Sequence, residues 1–267
     1  MDNRLGDYLR ARRSLVRPED VGLPPGGRRR VRGLRREELA LLAGISSDYY
    51  MRLEQGRDQH PSAQVLDALA RVLRLDPAAT AHLHRLAAPA PRRSATQAQV
   101  PPSIGWLVDR CADTPAYVHD RLTNVLAANA IATALSPNYA AGRNLIKGVF
   151  LDPAEHALRP GWEQTAANGV AGLRSLAHAD DPELAALVAE LSAGSERFRE
   201  LWNRHDVKAR TGQVVRFEHP RVGPLDLHGD KFTIAGTDDL MFVVQQAEPG
   251  SPSAEALALL AELTPVR

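Results

Sequence analysis

Cysteine is almost missing from this chain. Cys111 is the only one in 267 residues, so no intrachain disulfide can form and a reducing, cytoplasmic setting is expected. With no His or Asp partner in a recognisable motif, Cys111 reads as a small core residue, not a nucleophile. Long apolar runs are also missing. None approaches the ~20 residues that span a bilayer, and the opening MDNRLGDYLRARR lacks the apolar core of a secretion signal, so no membrane partner is expected. Catalytic signatures are absent as well: no G-x-S-x-G, no phosphate-binding Walker loop, no H-E-x-x-H and no paired Cys-x-x-Cys. His82 and His84 stand two apart on a helix and point to different faces, while His178, His205, His219 and His228 are too scattered for a metal set. Neither an enzyme nor a metal or other cofactor is expected. Lysine is scarce, with arginine outnumbering it ten to one, so arginine at any single position says little and only its distribution is informative.

That distribution is lopsided. Residues 1–93 hold 18 Arg, no Lys and 11 Asp plus Glu, a balance of +7, and the remainder is at −6, which together give the net +1. A basic front half and an acidic back half place the electrostatic footprint for a polyanion on the front alone. Within that half, RREELALLAGISSDYYMRLEQG (residues 35–56) reads as two short helices joined by a tight corner. Leu39, Leu42 and Ala43 follow the spacing of a helix with one buried face. Gly44 accepts the left-handed backbone that closes a helix, Ile45 plugs the corner, and Ser46 is placed to cap the next helix. In that helix Tyr50 and Leu53 share Ile45's side, leaving Ser47, Asp48, Met51, Arg52 and Gln55 on the opposite face. A helix displaying so polar a face suits insertion into the major groove of DNA.

The flanking segments complete a small helical domain over residues 1–87. A first helix covers 3–15 with Leu5, Tyr8 and Leu9 inward. Pro18, Pro24, Pro25, Gly26 and Gly27 then interrupt any continuous helix. Arg28, Arg29, Arg30 and Arg32 cluster just before the motif, either as a solvated surface loop or as an arm touching phosphates or a neighbouring minor groove. Ser62 caps a fourth helix with Val65, Leu66, Leu69, Val72 and Leu73 on one side, and Asp76-Pro77 opens a fifth. Residues 88–103, rich in Ala, Pro, Ser and Gln, read as a linker.

Beyond it the chain changes texture. A short helix from Ile104, two strands around Arg121-Leu122, and a helix over Asn129 to Leu135 are followed by further helices opening at Asp152-Pro153, after Pro160 and at Asp181-Pro182. Strands are expected over 213–217, 223–227, 231–234 and 239–245, and a closing helix is capped by Ser251. This order implies an α+β domain with one antiparallel sheet over 104–267.

The order Leu39-Ala40, Gly44-Ile45-Ser46, Leu53-Glu54-Gln55-Gly56 resembles the helix-turn-helix of the lambda-repressor/Xre class. The run GLRREELALLAGISSDYYMRLEQGRD is similar to its actinobacterial MmyB-like branch, although Arg35-Arg36 stands where the class usually has Thr-Gln or Ser-Gln. That resemblance implies a five-helix domain in which Ser47, Asp48 and Arg52 read bases, Arg36 grips phosphate, and Arg13 pairs with Glu54 to tie the first helix to the end of the recognition helix. Ser46, Tyr49, Met51, Gln55 and Arg57 complete the candidate interface. TPAYVHDRLTNVLAANA, NLIKGVFLDP, DDPELAALVAELSAGSERFRELWNRHDV, FEHPRVGPLDL and AEPGSPSAEALALLAEL resemble the MmyB-like ligand-binding domain. The implication is a PAS-like fold holding an apolar small molecule, fatty acid-like in character. Tyr117, Asn129, Trp162, Arg174, Trp202, His205, Phe217 and Phe232 are the candidate lining. His205, sharing a helix face with Trp202, is either a buried structural histidine or a polar anchor for a ligand carboxylate, and Arg174 and Arg204 are rival anchors. The expectation is a transcriptional regulator, homodimeric on a palindromic duplex. The alternative is a C-terminal dimerisation or docking module that takes no ligand.

Overall fold

The computed structural model describes residues 3–24, 33–58, 60–88, 99–175, 181–204, 213–237 and 240–264. It divides into two compact units, one comprising Met1–Arg93, Arg174–Ala186 and Glu200–Ala209, the other Ser94–Leu173, Leu187–Arg199 and Arg210–Arg267. The arginines of the expected arm, Arg28, Arg29, Arg30 and Arg32, and also His205, lie outside the described residues.

In the N-terminal region, five α-helices run Arg4–Leu15 (α1), Arg36–Ala43 (α2), Ser47–Glu54 (α3), Ala63–Val72 (α4) and Pro77–Ala87 (α5), with a 3-10 turn at Pro18–Val21. Each start has a local chemical reason. Asn3, Ser46, Ser62 and Asp76 accept a backbone N–H of the first turn of α1, α3, α4 and α5, and Glu38 accepts the Arg35 N–H at α2, 2.8 Å away. Their inner faces share one core that includes Leu5, Tyr8, Leu9, Leu34, Leu39, Tyr50, Leu53, Leu66, Leu69 and Leu83. Leu42, Ala43 and Val65, expected inward, are only partly buried against that core, whereas Ala40 is fully inside.

The C-terminal domain begins with Pro102–Arg110 (α6), then a hairpin of Ala116–His119 (β1) and Val125–Ala128 (β2). Helices follow at Ala130–Leu135 (α7), Leu145–Leu151 (α8), Pro153–Leu158 (α9), Trp162–Ser175 (α10), Pro182–Gly194 (α11) and Glu196–Asn203 (α12), of which residues 174–175, 182–186 and 200–203 belong to the first unit. Strands Gln213–His219 (β3), Gly223–Thr233 (β4) and Met241–Gln246 (β5) and helix Pro252–Glu262 (α13) complete it. Among the described residues, five strands form one antiparallel sheet in the order β2-β1-β5-β4-β3, the single-sheet α+β layout expected from the order of elements.

Two of the expected strands, 223–227 and 231–234, are one. His228-Gly229-Asp230 looks like a turn by composition, but Gly229 is paired with Gln213 on one side and Gln245 on the other, so the strand runs straight through. A glycine inside a strand can mark close backbone approach as well as a break. The sheet has two faces. Tyr117, Phe217, Leu225, Leu227 and Val243 pack on one side with α7 and α13 residues Ile131, Leu135, Leu257 and Leu260. Val118, Phe242 and Ala116 pack on the other with Val108 and Ile104 of α6.

Candidate nucleic-acid interface and ligand-domain interior

The corner between α2 and α3 is built as its sequence suggests. Gly44 takes φ +70°, and the Ile45 N–H returns to the Ala40 carbonyl at 3.0 Å. Ser46 Oγ then accepts the Tyr49 N–H at 3.1 Å. Tyr50 and Leu53 are fully buried, which fixes the roll of α3 and turns Ser47, Asp48 and Gln55 fully outward, with Tyr49, Met51 and Arg52 half-buried beside them. Ser46 and Arg57 are exposed at the two ends of this face. On it, Arg52 Nη1 donates to Asp48 Oδ2, one helical turn back, and the Arg52 guanidinium lies 5.6 Å from the centre of the Tyr49 ring.

The end of α3 is held by a three-part ion cluster. Arg13 Nε donates to Glu54 Oε1 at 2.7 Å and Arg36 Nε to Glu54 Oε2 at 2.6 Å, with Glu54 fully buried. Burial pushes the Glu54 carboxyl up, but the hydrogen bonds from Arg13 and Arg36 outweigh it and hold the group below the usual carboxylate range. Arg36 thus has a structural partner in addition to its expected place at the groove edge, and its side chain remains 44% exposed. Asn3 adds a further tie, accepting the Gly6 N–H at the start of α1 and donating to the Glu54 carbonyl at 2.7 Å.

In the C-terminal domain the inner face of the sheet carries a buried polar group. The Tyr117 and Tyr139 rings stack with centres 4.5 Å apart. Gln245 Nε2 donates to the Tyr139 hydroxyl at 2.7 Å. Arg159 lies over the rings of Tyr139 and Phe217, at 5.2 and 4.7 Å, and its Nε donates to Glu155 Oε2 at 2.9 Å. Glu155 also accepts from Ser136 Oγ. Burial works against the charge on Arg159, but Tyr139 and Glu155 outweigh it and keep the guanidinium protonated. Burial also raises the Tyr117 phenol well above its ordinary value, so it stays neutral.

The helix-turn-helix domain family matches residues 4–83. The MmyB-like transcription regulator ligand binding domain matches residues 100–260, more than half of the chain. The chain belongs to the MmyB-like transcription regulator family. No curated protein matches it.

Of the residues proposed to line this MmyB-like domain, the structure brings Tyr117 and Phe217 together around Arg159 and Tyr139. Others it places elsewhere. Asn129 caps α7, accepting the N–H groups of Ala116 and Ala132 while its amide donates to the Cys111 and Thr114 carbonyls, so its hydrogen-bonding capacity serves the fold. Phe232 lies on the opposite face of the sheet, 55% exposed beside Phe242. Trp162 stacks on His156 with centres 4.1 Å apart. Arg174 and Trp202 form a pair of their own, the guanidinium 3.9 Å over the indole and donating to the Trp202 carbonyl. Sequence reasoning missed Ser136, Tyr139, Glu155, Arg159 and Gln245. Glu155 and Arg159 were detectable as opposite charges one turn apart. Tyr139 and Gln245 carried no local signal. Among the described residues, no cluster of three His, Cys, Asp or Glu side chains could hold a metal ion, and no helix is long and apolar enough to cross a membrane.

Proposed function

We propose that this regulator binds a palindromic DNA operator as a homodimer, reading bases with the outer face of α3, and that its C-terminal domain takes an apolar, fatty acid-like molecule that tunes operator binding. The observation that carries the DNA reading is the division of α3 into a fully buried Tyr50/Leu53 seam and an outer face of Ser47, Asp48, Arg52 and Gln55. A helix so anchored can enter a major groove without disturbing its own core. Dimerisation follows from arithmetic: one short helix makes few base contacts, and two half-sites supply the specific affinity. The ligand reading draws support from the family match and from the largely apolar inner face of the sheet, where Tyr117, Phe217 and Leu225 surround the few polar groups described above. A ligand can shift operator affinity only through unequal affinity for the bound and free arrangements. Selection of bound duplexes from fragmented genomic DNA, with native mass spectrometry of the full-length protein, tests both parts. One enriched, symmetric sequence and a retained small molecule are expected. Failure to prefer any duplex over random competitor removes the first part, and a ligand-free mass after purification from the host removes the second.

A second reading has its own observation. Trp106 and Leu107 on α6 are 67% and 44% exposed, which suits a C-terminal domain whose role is dimerisation or docking without a ligand. A dimeric mass that persists on substitution of both residues counts against it.

A further inference from the structure

Asp48 is out of place on a surface meant for DNA. Its carboxylate is 65% exposed in the first turn of α3, where an isolated negative charge would be repelled by phosphate. It is not isolated: Oδ2 accepts from Arg52 Nη1, and Arg52 rests on the Tyr49 ring. Three consequences follow. The pair brings no net charge to the groove, so backbone attraction has to come from other residues. The Arg52 head is fixed by a carboxylate on one side and an aromatic face on the other, which removes much of the rotamer freedom an exposed arginine would lose on binding. Finally, one Nη1 proton is taken by Asp48, which still leaves a pair of parallel N–H donors on the planar guanidinium, and Asp48 Oδ1 remains at the surface as an acceptor.

We propose that Asp48 and Arg52 act as one composite base reader, with Arg52 donating two hydrogen bonds to the O6 and N7 of a guanine. Asp48 Oδ1 accepts from the exocyclic amine of a cytosine or adenine at the adjoining base pair. The chemistry is restrictive. Only guanine presents two acceptors matched to the arginine fork in the major groove, and only cytosine and adenine present an amine donor there. Thymine or guanine at the adjoining position would set O4 or O6 against a carboxylate oxygen, acceptor against acceptor. Because the two heads are hydrogen-bonded to each other, the two preferences are coupled. The inference rests on α3 being the base-reading helix.

Site selection from a randomised duplex library, using full-length protein and the variants Asp48→Ala, Asp48→Asn and Arg52→Ala, tests it. The unsubstituted protein is expected to enrich guanine and, at one adjoining pair, to favour cytosine or adenine over thymine or guanine on one fixed strand. Arg52→Ala loses the guanine preference by roughly tenfold or more. Asp48→Ala removes the preference at the adjoining pair and also weakens discrimination for guanine, although it takes a negative charge away from the phosphates. Asp48→Asn, which offers both a donor and an acceptor, keeps binding but admits thymine or guanine at the adjoining pair. Asp48→Ala binding all duplexes more tightly with an unchanged base preference overturns the proposal and leaves only electrostatic repulsion. Salt-sensitive, sequence-selective binding that ignores Arg52 overturns it too while sparing the DNA-binding reading. No selective binding by any of the four proteins defeats both.

Discussion

Glu54 shows what a single buried charge does here. Fully enclosed between Arg13 and Arg36, it fastens the C-terminal end of α3 to both α1 and the start of α2, so the pose of the proposed reading face depends on it. Glu54→Gln is expected to destabilise the helical domain by about 2–3 kcal/mol. The loss stays below that of breaking a fully buried pair because the Arg36 side chain, 44% exposed, recovers water. The carboxyl is held below its ordinary range in the fold. Its contribution is therefore complete above the unfolded value of ~4.3 and is lost as pH falls through the lower folded value. Protection factors of α1 and α3 amides, corrected for the intrinsic exchange rate at each pH, should fall down that acid range in the unsubstituted protein, and the Glu54→Gln profile should be flatter. Arg159 and Glu155, each 4% exposed, pose a different test. Either Arg159→Met or Glu155→Gln alone should cost about 3–5 kcal/mol, because one partner's polar or charged head stays buried and uncompensated, whereas the double substitution should recover much of the loss. Denaturant unfolding of the four proteins measures the coupling, and additive losses would show that the two groups do not act as a pair.

At the scale of elements, close approach between helices matters as much as polarity. A Cβ built on Gly6 would lie 2.4 Å from the Glu54 carbonyl oxygen and 2.5 Å from the Asn3 amide. Backbone cannot yield as a flexible side chain can. Gly6→Ala should therefore push α1 away from α3 despite alanine's better helix propensity, lowering both the unfolding midpoint and operator affinity. A rise in stability would show that the helices separate at no cost. Legibility from sequence divides along the same line. The α2–Gly44–α3 corner, the caps at Ser46, Ser62, Asp76 and Ser251, and the buried Leu and Tyr seam were readable because each depends on neighbours within one or two turns. The continuous β4 was not, since what keeps Gly229 in the strand is its pairing with β3 and β5. The polar group of the ligand domain was hidden for the same reason. Tyr139 and Gln245 meet across 106 positions of chain, and only the sheet order brings β5 alongside β1 to make that possible. Asn129, read as a site residue, turned out to spend its amide on a cap and three carbonyls of the preceding segment.

For the whole molecule the deciding quantity is charge placement. A net +1 chain has little general attraction for DNA, yet its first 93 residues carry a balance of +7, so binding should be local to that region and strongly salt-dependent. The pairing of Asp48 with Arg52 sharpens the expectation, because α3 itself then supplies no surplus charge and phosphate contacts fall to residues around it, such as the exposed Arg57 and the outer part of Arg36. Each phosphate neutralised steepens the plot of log affinity against log salt by ~0.9. Arg36→Ala should lower that slope by about 1 per protomer and weaken selected and random duplexes by similar factors, in contrast to Arg52→Ala, which should act mainly on the selected sequence. Fluorescence anisotropy titrations over a series of salt concentrations separate the two effects. If Arg36→Ala leaves the slope unchanged and lowers affinity only in proportion to the folded fraction lost, the residue serves solely as the second clamp on Glu54, and the phosphate contact must be sought elsewhere on the basic half.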